Sequence, residues 1–147
     1  MKDYRDILKY NLDSLRKSYE WLQASHSKCL KIDISNELTV DEMDAFEALS
    51  SRFARIVDIL LKKVFRSIEE IELTTGGTLL DVVHRFQKRG LKVEDNEIRY
   101  MREIRNLIFH EYIEESLNEL FVELIRYTSV LMNVVEWTFS YAEKLIS

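Results

Sequence analysis

Residues 39–77 read TVDEMDAFEALSSRFARIVDILLKKVFRSIEEIELTTGG, and this stretch decides the fold. Thr39 and Glu42 have the spacing of a capping box, in which the two side chains satisfy free amides at a helix start. Phe46, Leu49, Phe53, Ile56, Leu60, Val64, Ile68 and Ile71 then follow in steps of three and four. Residues so spaced share one face of a helix, here a long one with a continuous apolar stripe. Two consecutive glycines, Gly76 and Gly77, make continuation costly, so the helix is expected to stop near Thr74–Gly77.

The same period recurs on both sides of this stretch. Upstream, Tyr4, Leu8, Leu12, Leu15, Tyr19 and Leu22 form one face, which predicts a helix from about Tyr4 to Gln23 capped by Asp3. Residues 25–38 mix serines, lysines and isolated apolar residues and read as a loop. Downstream, Thr78-x-x-Asp81 opens a short helix carrying Leu79, Leu80, Val82, Val83 and Phe86, with Gly90 fitting its end. Asp95 is the expected cap of a further helix bearing Ile98, Met101, Ile104, Leu107 and Ile108. Ser116-x-x-Glu119 is a third capping box, and Leu117, Leu120, Leu124, Tyr127, Leu131, Val134 and Val135 make the final stripe. The expectation is an all-α fold: an up-and-down bundle of four main helices plus one short helix, in a single domain over residues 1–147.

Composition agrees with that class. Hydrophobic residues make up 46% and charged residues 32% of the 147, a globular balance, and proline is absent. Cys29 is the one cysteine, so an internal disulfide and a cysteine-rich metal site are both ruled out. The N-terminus lacks an apolar signal core and no stretch approaches the roughly 18 apolar residues of a membrane span, which together predict a cytoplasmic chain without a membrane partner. The net charge of −5 argues against indiscriminate binding to nucleic acid. That charge is uneven. Residues 85–110 hold seven basic and four acidic residues, or +3, whereas residues 111–147 hold two and seven, or −5.

The basic part abuts the one segment with marked chemical character, Arg105-Asn106-Leu107-Ile108-Phe109-His110-Glu111-Tyr112. A histidine near its reference pKa can take or give a proton at neutral pH. An arginine stays charged and offers a fork of donors suited to phosphate oxygens. Tyr112 adds a hydroxyl and a stacking face, and Asn106 can orient a ligand. Together these suit metal-free RNA cleavage, in which a 2′-hydroxyl attacks the phosphorus, His110 takes its proton and Arg105 stabilises the charge that develops. A 2′,3′-cyclic phosphate is the expected product. On a regular helix, five residues turn about 140°, so Arg105 and His110 would not be adjacent, although Arg105 and Tyr112 share a face. Either the helix ends or distorts before His110, or the site draws on two chains; a two-fold homodimer is the favoured solution. Arg99 and Arg102 precede Arg105 at spacing three and would extend a phosphate track, or form a solvated face with Glu97 and Glu103.

Segment 105–112 resembles the R-x4-H-x-Y signature of HEPN domains and, more narrowly, of the HepT proteins paired with minimal nucleotidyltransferases. The flanks Phe46–Arg55 and Gly77–Asp81 are similar to members of this group as well, so the resemblance covers roughly residues 40–115. It implies a dimeric helical bundle acting as a metal-independent ribonuclease, with Arg105 and His110 as the catalytic pair and Asn106 as their polar companion. It also implies a toxin restrained by a nucleotidyltransferase antitoxin, with Tyr112 as an acceptor of AMP. A sister group of the same fold implies a different role, that of a non-catalytic subunit presenting the nucleotidyltransferase's substrate.

Taken singly, these residues have plainer readings: Arg105 as a solvated helix charge, His110 as a core histidine, Tyr112 as packing. The functional reading rests on their combination. Asp81 and His84 have an acidic-x-x-His spacing, but a carboxylate di-metal bundle needs a second such pair and His110 has Leu107 at that place, so no metal is expected. No cofactor is expected either, because Gly76-Gly77 lacks the Lys-Ser/Thr of a phosphate loop. His26 is expected to face solvent from a polar loop, and Cys29 to be an inert thiol. Trp21, Trp137 and Tyr141 read as core or interface residues, and Lys62, Lys63 and Arg66 as the polar side of the long helix.

Overall fold

A computed structural model describes residues 3–109 and 117–147. The described residues are helical with no strand. They form α1 (Tyr4–Cys29), α2 (Val40–Asp58), a π-helical stretch (Ile59–Val64), α3 (Phe65–Ile71), α4 (Leu79–Lys88), α5 (Asp95–Phe109) and α6 (Leu117–Ile146). Helices α2 and α3 are joined end to end through the π-helical stretch, so 40–71 is one rod. The architecture is therefore the expected all-α bundle, with α4 as the short member.

The rod begins as its sequence dictates. Thr39 accepts from the Glu42 amide at 3.1 Å while the Thr39 amide donates to the Glu42 carboxylate at 2.9 Å. Its apolar stripe is buried throughout, from Phe46 to Ile68. The π-helical stretch has a cause in that stripe. Ile56, Leu60, Val64 and Ile68 step by four three times over, and each such step drifts about 40° round a regular α-helix. A wider turn absorbs the drift and keeps all four side chains on the core. Local π turns of this kind are frequent at functional sites.

Aromatic stacking ties the elements together. Phe46 of α2 stacks on Phe121 of α6 with centroids 4.4 Å apart, and Phe65 of α3 stacks on Phe86 of α4 at 3.9 Å. Trp137 meets Phe86 edge-on and stacks on Tyr141, as core readings of both predict. A buried hydrogen bond from Asn11 Nδ2 to Ser67 Oγ, 2.8 Å, joins α1 to α3.

Several expectations need correction. Helix α1 runs six residues beyond Gln23, to Cys29, because Ser25, His26 and Cys29 are buried against the rod. His26 is accordingly a buried residue of the last turn of α1, not a solvent-facing loop residue. Burial pushes the Cys29 thiol up to about 11, which fits an inert group. Leu80 and Leu107, assigned to apolar stripes, are 42% and 50% exposed. The start of α5 is closed by Glu97, whose carboxylate accepts from the Glu94 amide at 2.9 Å, while the Asp95 side chain turns to His84 and Gln87. The capping box proposed at Ser116 lies outside the described residues. No helix among the described residues is long and apolar enough to cross a membrane.

Candidate functional site

Arg105 projects from α5 onto the rod and meets Asp58, the last residue of α2. Its Nε donates to Asp58 Oδ1 at 2.9 Å and its Nη2 donates to Oδ2 at 2.8 Å, a two-pronged pair across 47 residues of sequence. Nη1 donates to Asn106 Oδ1 at 3.2 Å. Lys62 Nζ approaches Asp58 Oδ1 at 3.4 Å from one turn along the rod. Partial burial would raise the Asp58 pKa, but the hydrogen bonds and charge of Arg105, with help from Lys62, prevail and hold the carboxyl below its usual range. Asp58 is thus an anion that fixes the direction of the Arg105 guanidinium. The solvated-charge reading of Arg105 is replaced by a half-buried, oriented one.

Beside this pair opens a cleft of about 480 Å³. Arg102, Arg105 and Asn106 line it from α5, Lys62 and Arg66 from the rod, and Leu79 and Val82 from α4. Arg99 does not line it; exposed one turn back, it stands near Asp95. Of the expected site residues, the structure therefore brings Arg102, Arg105 and Asn106 together and leaves Arg99 outside. His110 and Tyr112 lie outside the described residues.

Glu69, which also lines the cleft, belongs to an ionic cluster that sequence reading missed. Glu69 of α3, 2% exposed, accepts from Arg85 Nε at 2.8 Å and Arg89 Nη2 at 2.9 Å, and from the Thr74 hydroxyl. Burial alone would raise the Glu69 pKa; Arg85, Thr74 and Arg89 together lower it instead. Arg89 also pairs with Glu72 at 3.0 Å, and Glu72 accepts from the Tyr141 hydroxyl at 2.6 Å. Arg85 Nη2 reaches the Gly76 carbonyl at 2.7 Å and so holds the glycine turn that leads into α4. At Gly77 the backbone has φ +85°, and a Cβ would come within 2.6 Å of the Asp81 carboxylate. Glycine is required there by both counts.

Asp81 is occupied by that capping box, with its carboxylate accepting from the Thr78 amide at 2.8 Å. His84 pairs instead with Asp95, at 2.9 Å, so the Asp81–His84 spacing is not a shared site.

Chemically, the cleft presents four cations, Lys62, Arg66, Arg102 and Arg105, and the Asn106 amide, beside the carboxylates Asp58, Glu69 and Glu70, of which Asp58 and Glu69 are engaged by arginines, with Val57, Leu61, Leu79 and Val82 as apolar lining. That suits a phosphate group attached to a less polar body. Asp58 and Glu69 were missed as site residues because their arginine partners are remote in sequence, and Lys62, four residues from Asp58, reads as an ordinary charge on the rod's polar side. Comparison of the chain with protein-family models, with curated proteins and with solved structures finds no match.

Proposed function

We propose that this chain is a HEPN-type metal-independent ribonuclease, the toxin of a pair whose antitoxin is a minimal nucleotidyltransferase, acting in the cytoplasm as a homodimer on RNA. The observation that supports this reading is the cleft itself: Arg105, Asn106 and Arg102 line it together with two further cations, and His110 follows five residues after Arg105.

In this scheme His110 takes the proton of a 2′-hydroxyl, whose oxygen attacks the adjacent phosphorus. The bond from phosphorus to the 5′-oxygen breaks, and that oxygen collects a proton. Arg105 stabilises the extra negative charge on the phosphoryl oxygens, while Asp58 and Asn106 hold its direction. A 2′,3′-cyclic phosphate and a 5′-hydroxyl result. Tyr112 contacts the RNA and accepts AMP from the antitoxin, which adds bulk and negative charge where phosphate would bind.

The test is RNA cleavage in EDTA by wild type and His110→Ala. Cleavage by the wild type alone supports the reading; equal absence of cleavage removes it, and loss of wild-type cleavage in EDTA removes its metal-free chemistry. Tyr112→Phe should retain the fold and dimer yet accept no labelled adenylyl group at that position by mass mapping.

One observation favours a second reading, a non-catalytic helical subunit that binds a minimal nucleotidyltransferase and presents its substrate. The Arg105 fork grips a carboxylate of its own chain, as a structural ion pair does. Stable co-purification with the nucleotidyltransferase, combined with no cleavage by either variant, would select it.

A further inference from the structure

A second groove lies beside the cleft and shares Asp58 and Lys62 with it. It runs between α1 and the junction of α2 with the π-helical stretch, and its volume is about 720 Å³. Lys17 and Trp21 line it from α1, and Arg55, Lys62 and Lys63 line it from the rod. Asp58 is the one acidic residue of its lining, and that carboxylate is already paired with Arg105. Four cations therefore converge on one groove in a chain whose net charge is −5.

Trp21 is 53% exposed and so is not a core residue of this chain. The Trp21 carbonyl accepts from Arg52 Nη1 at 3.2 Å, and the same guanidinium donates to Ser25 Oγ. An exposed indole among cations matches the surface that single-stranded nucleic acid requires: a π-face on which a base stacks, and positive charges that follow the backbone.

The two depressions are neighbours. Asp58 and Lys62 line both this groove and the cleft that holds Arg105. Along the rod, Lys62 lines both depressions, Lys63 lines the groove, and Arg66, at the start of α3, lines the cleft.

We infer that the groove between α1 and the π-helical stretch binds single-stranded RNA, with Trp21 as a base-stacking platform and Lys17, Arg55, Lys62 and Lys63 guiding the backbone towards Arg105. The inference deepens the ribonuclease reading, because it names the substrate as an unpaired strand and gives its path. It rests on that reading only for the direction of travel, since binding is measurable without cleavage.

The experiment uses the full chain carrying His110→Ala, in EDTA, titrated against a fluorescein-labelled 12-nucleotide oligouridine and against a 12-base-pair RNA duplex, read by anisotropy. Trp21→Ala should weaken oligouridine binding roughly ten-fold, with Trp21→Phe restoring most of it. Lys17→Glu with Arg55→Glu should weaken it at least as much and flatten its salt dependence. The duplex should bind more weakly than the single strand. Trp21, Lys17 and Arg55 are exposed, and circular dichroism of each variant is the check that it folds. Unchanged affinity in both sets of variants overturns the inference, as does equal affinity for duplex and single strand. A shift from dimer to monomer in Trp21→Ala by sedimentation also overturns it, because the face would then belong to a second copy of the chain. The two readings fail separately. A wild type that cleaves RNA while groove variants bind and cleave equally well sinks the groove alone. A groove that binds as described in a chain that never cleaves sinks the ribonuclease alone.

Discussion

Arg105 is the residue on which the site turns, and its surroundings are not those of a surface arginine. Asp58 grips it with two hydrogen bonds, but the two side chains keep 25% and 31% of their exposure, so water screens the pair. Asp58→Asn should therefore cost less than about 1 kcal/mol of stability in urea unfolding. Glu69 is the contrasting case. It is buried and answers two arginines, so Glu69→Ala should cost about 3–5 kcal/mol by the same measurement. Its pKa is lowered in the folded state, so its contribution is complete above the ordinary glutamate value of about 4.3 and is lost as pH falls through the folded value. Wild type should lose stability on acidification over that range more steeply than Glu69→Gln, which starts lower at neutral pH. The identities of Arg105, Asn106 and Arg102 were legible in the sequence because they fall in one short basic segment. Asp58 and Glu69 were not, because a pairing over 47 residues, or a glutamate met by arginines 16 and 20 residues on, leaves no periodic trace.

At the scale of the element, capping chemistry was the most readable layer. Thr39 with Glu42 and Thr78 with Asp81 both form the reciprocal boxes that their spacing implies. Thr78→Ala should cost about 1 kcal/mol in thermal or urea unfolding. Gly77→Ala should cost more than that, since it combines a positive φ with a clash on the carboxylate of the same box. The end of α1 was less readable. Ser25, His26 and Cys29 are small or polar, and only their packing against the rod shows that the helix continues through them. The π-helical stretch was written in the sequence as three successive four-residue steps, a period too long for an α-helix, but the apolar stripe looks unbroken until those steps are compared with 3.6.

At the scale of the whole molecule, a net charge of −5 hides a division of labour. The rod, α1 and α5 turn cations towards two adjoining depressions, whereas acidic residues dominate the sequence from 111 onward. Affinity for single-stranded RNA should consequently fall with salt, with a log–log slope of about −3 if the four groove cations each displace a counterion. A slope near zero would mean that the groove cations do not meet phosphate. The whole-molecule class was legible from the recurrence of the apolar period, from the scarcity of glycine and from the absence of proline. The grooves were not, because a depression between helices is a product of their packing.

In the proposed mechanism, Arg105 and His110 act on one phosphate from two copies of the chain. Arg105→Ala and His110→Ala, each expected to be inactive alone, should be co-expressed and assayed on single-stranded RNA in EDTA. Mixed dimers retain one intact pairing of the two groups, so a sizeable fraction of wild-type cleavage should return, with 2′,3′-cyclic phosphate ends. No recovery in verified mixed dimers, beside an active wild type, would contradict the account.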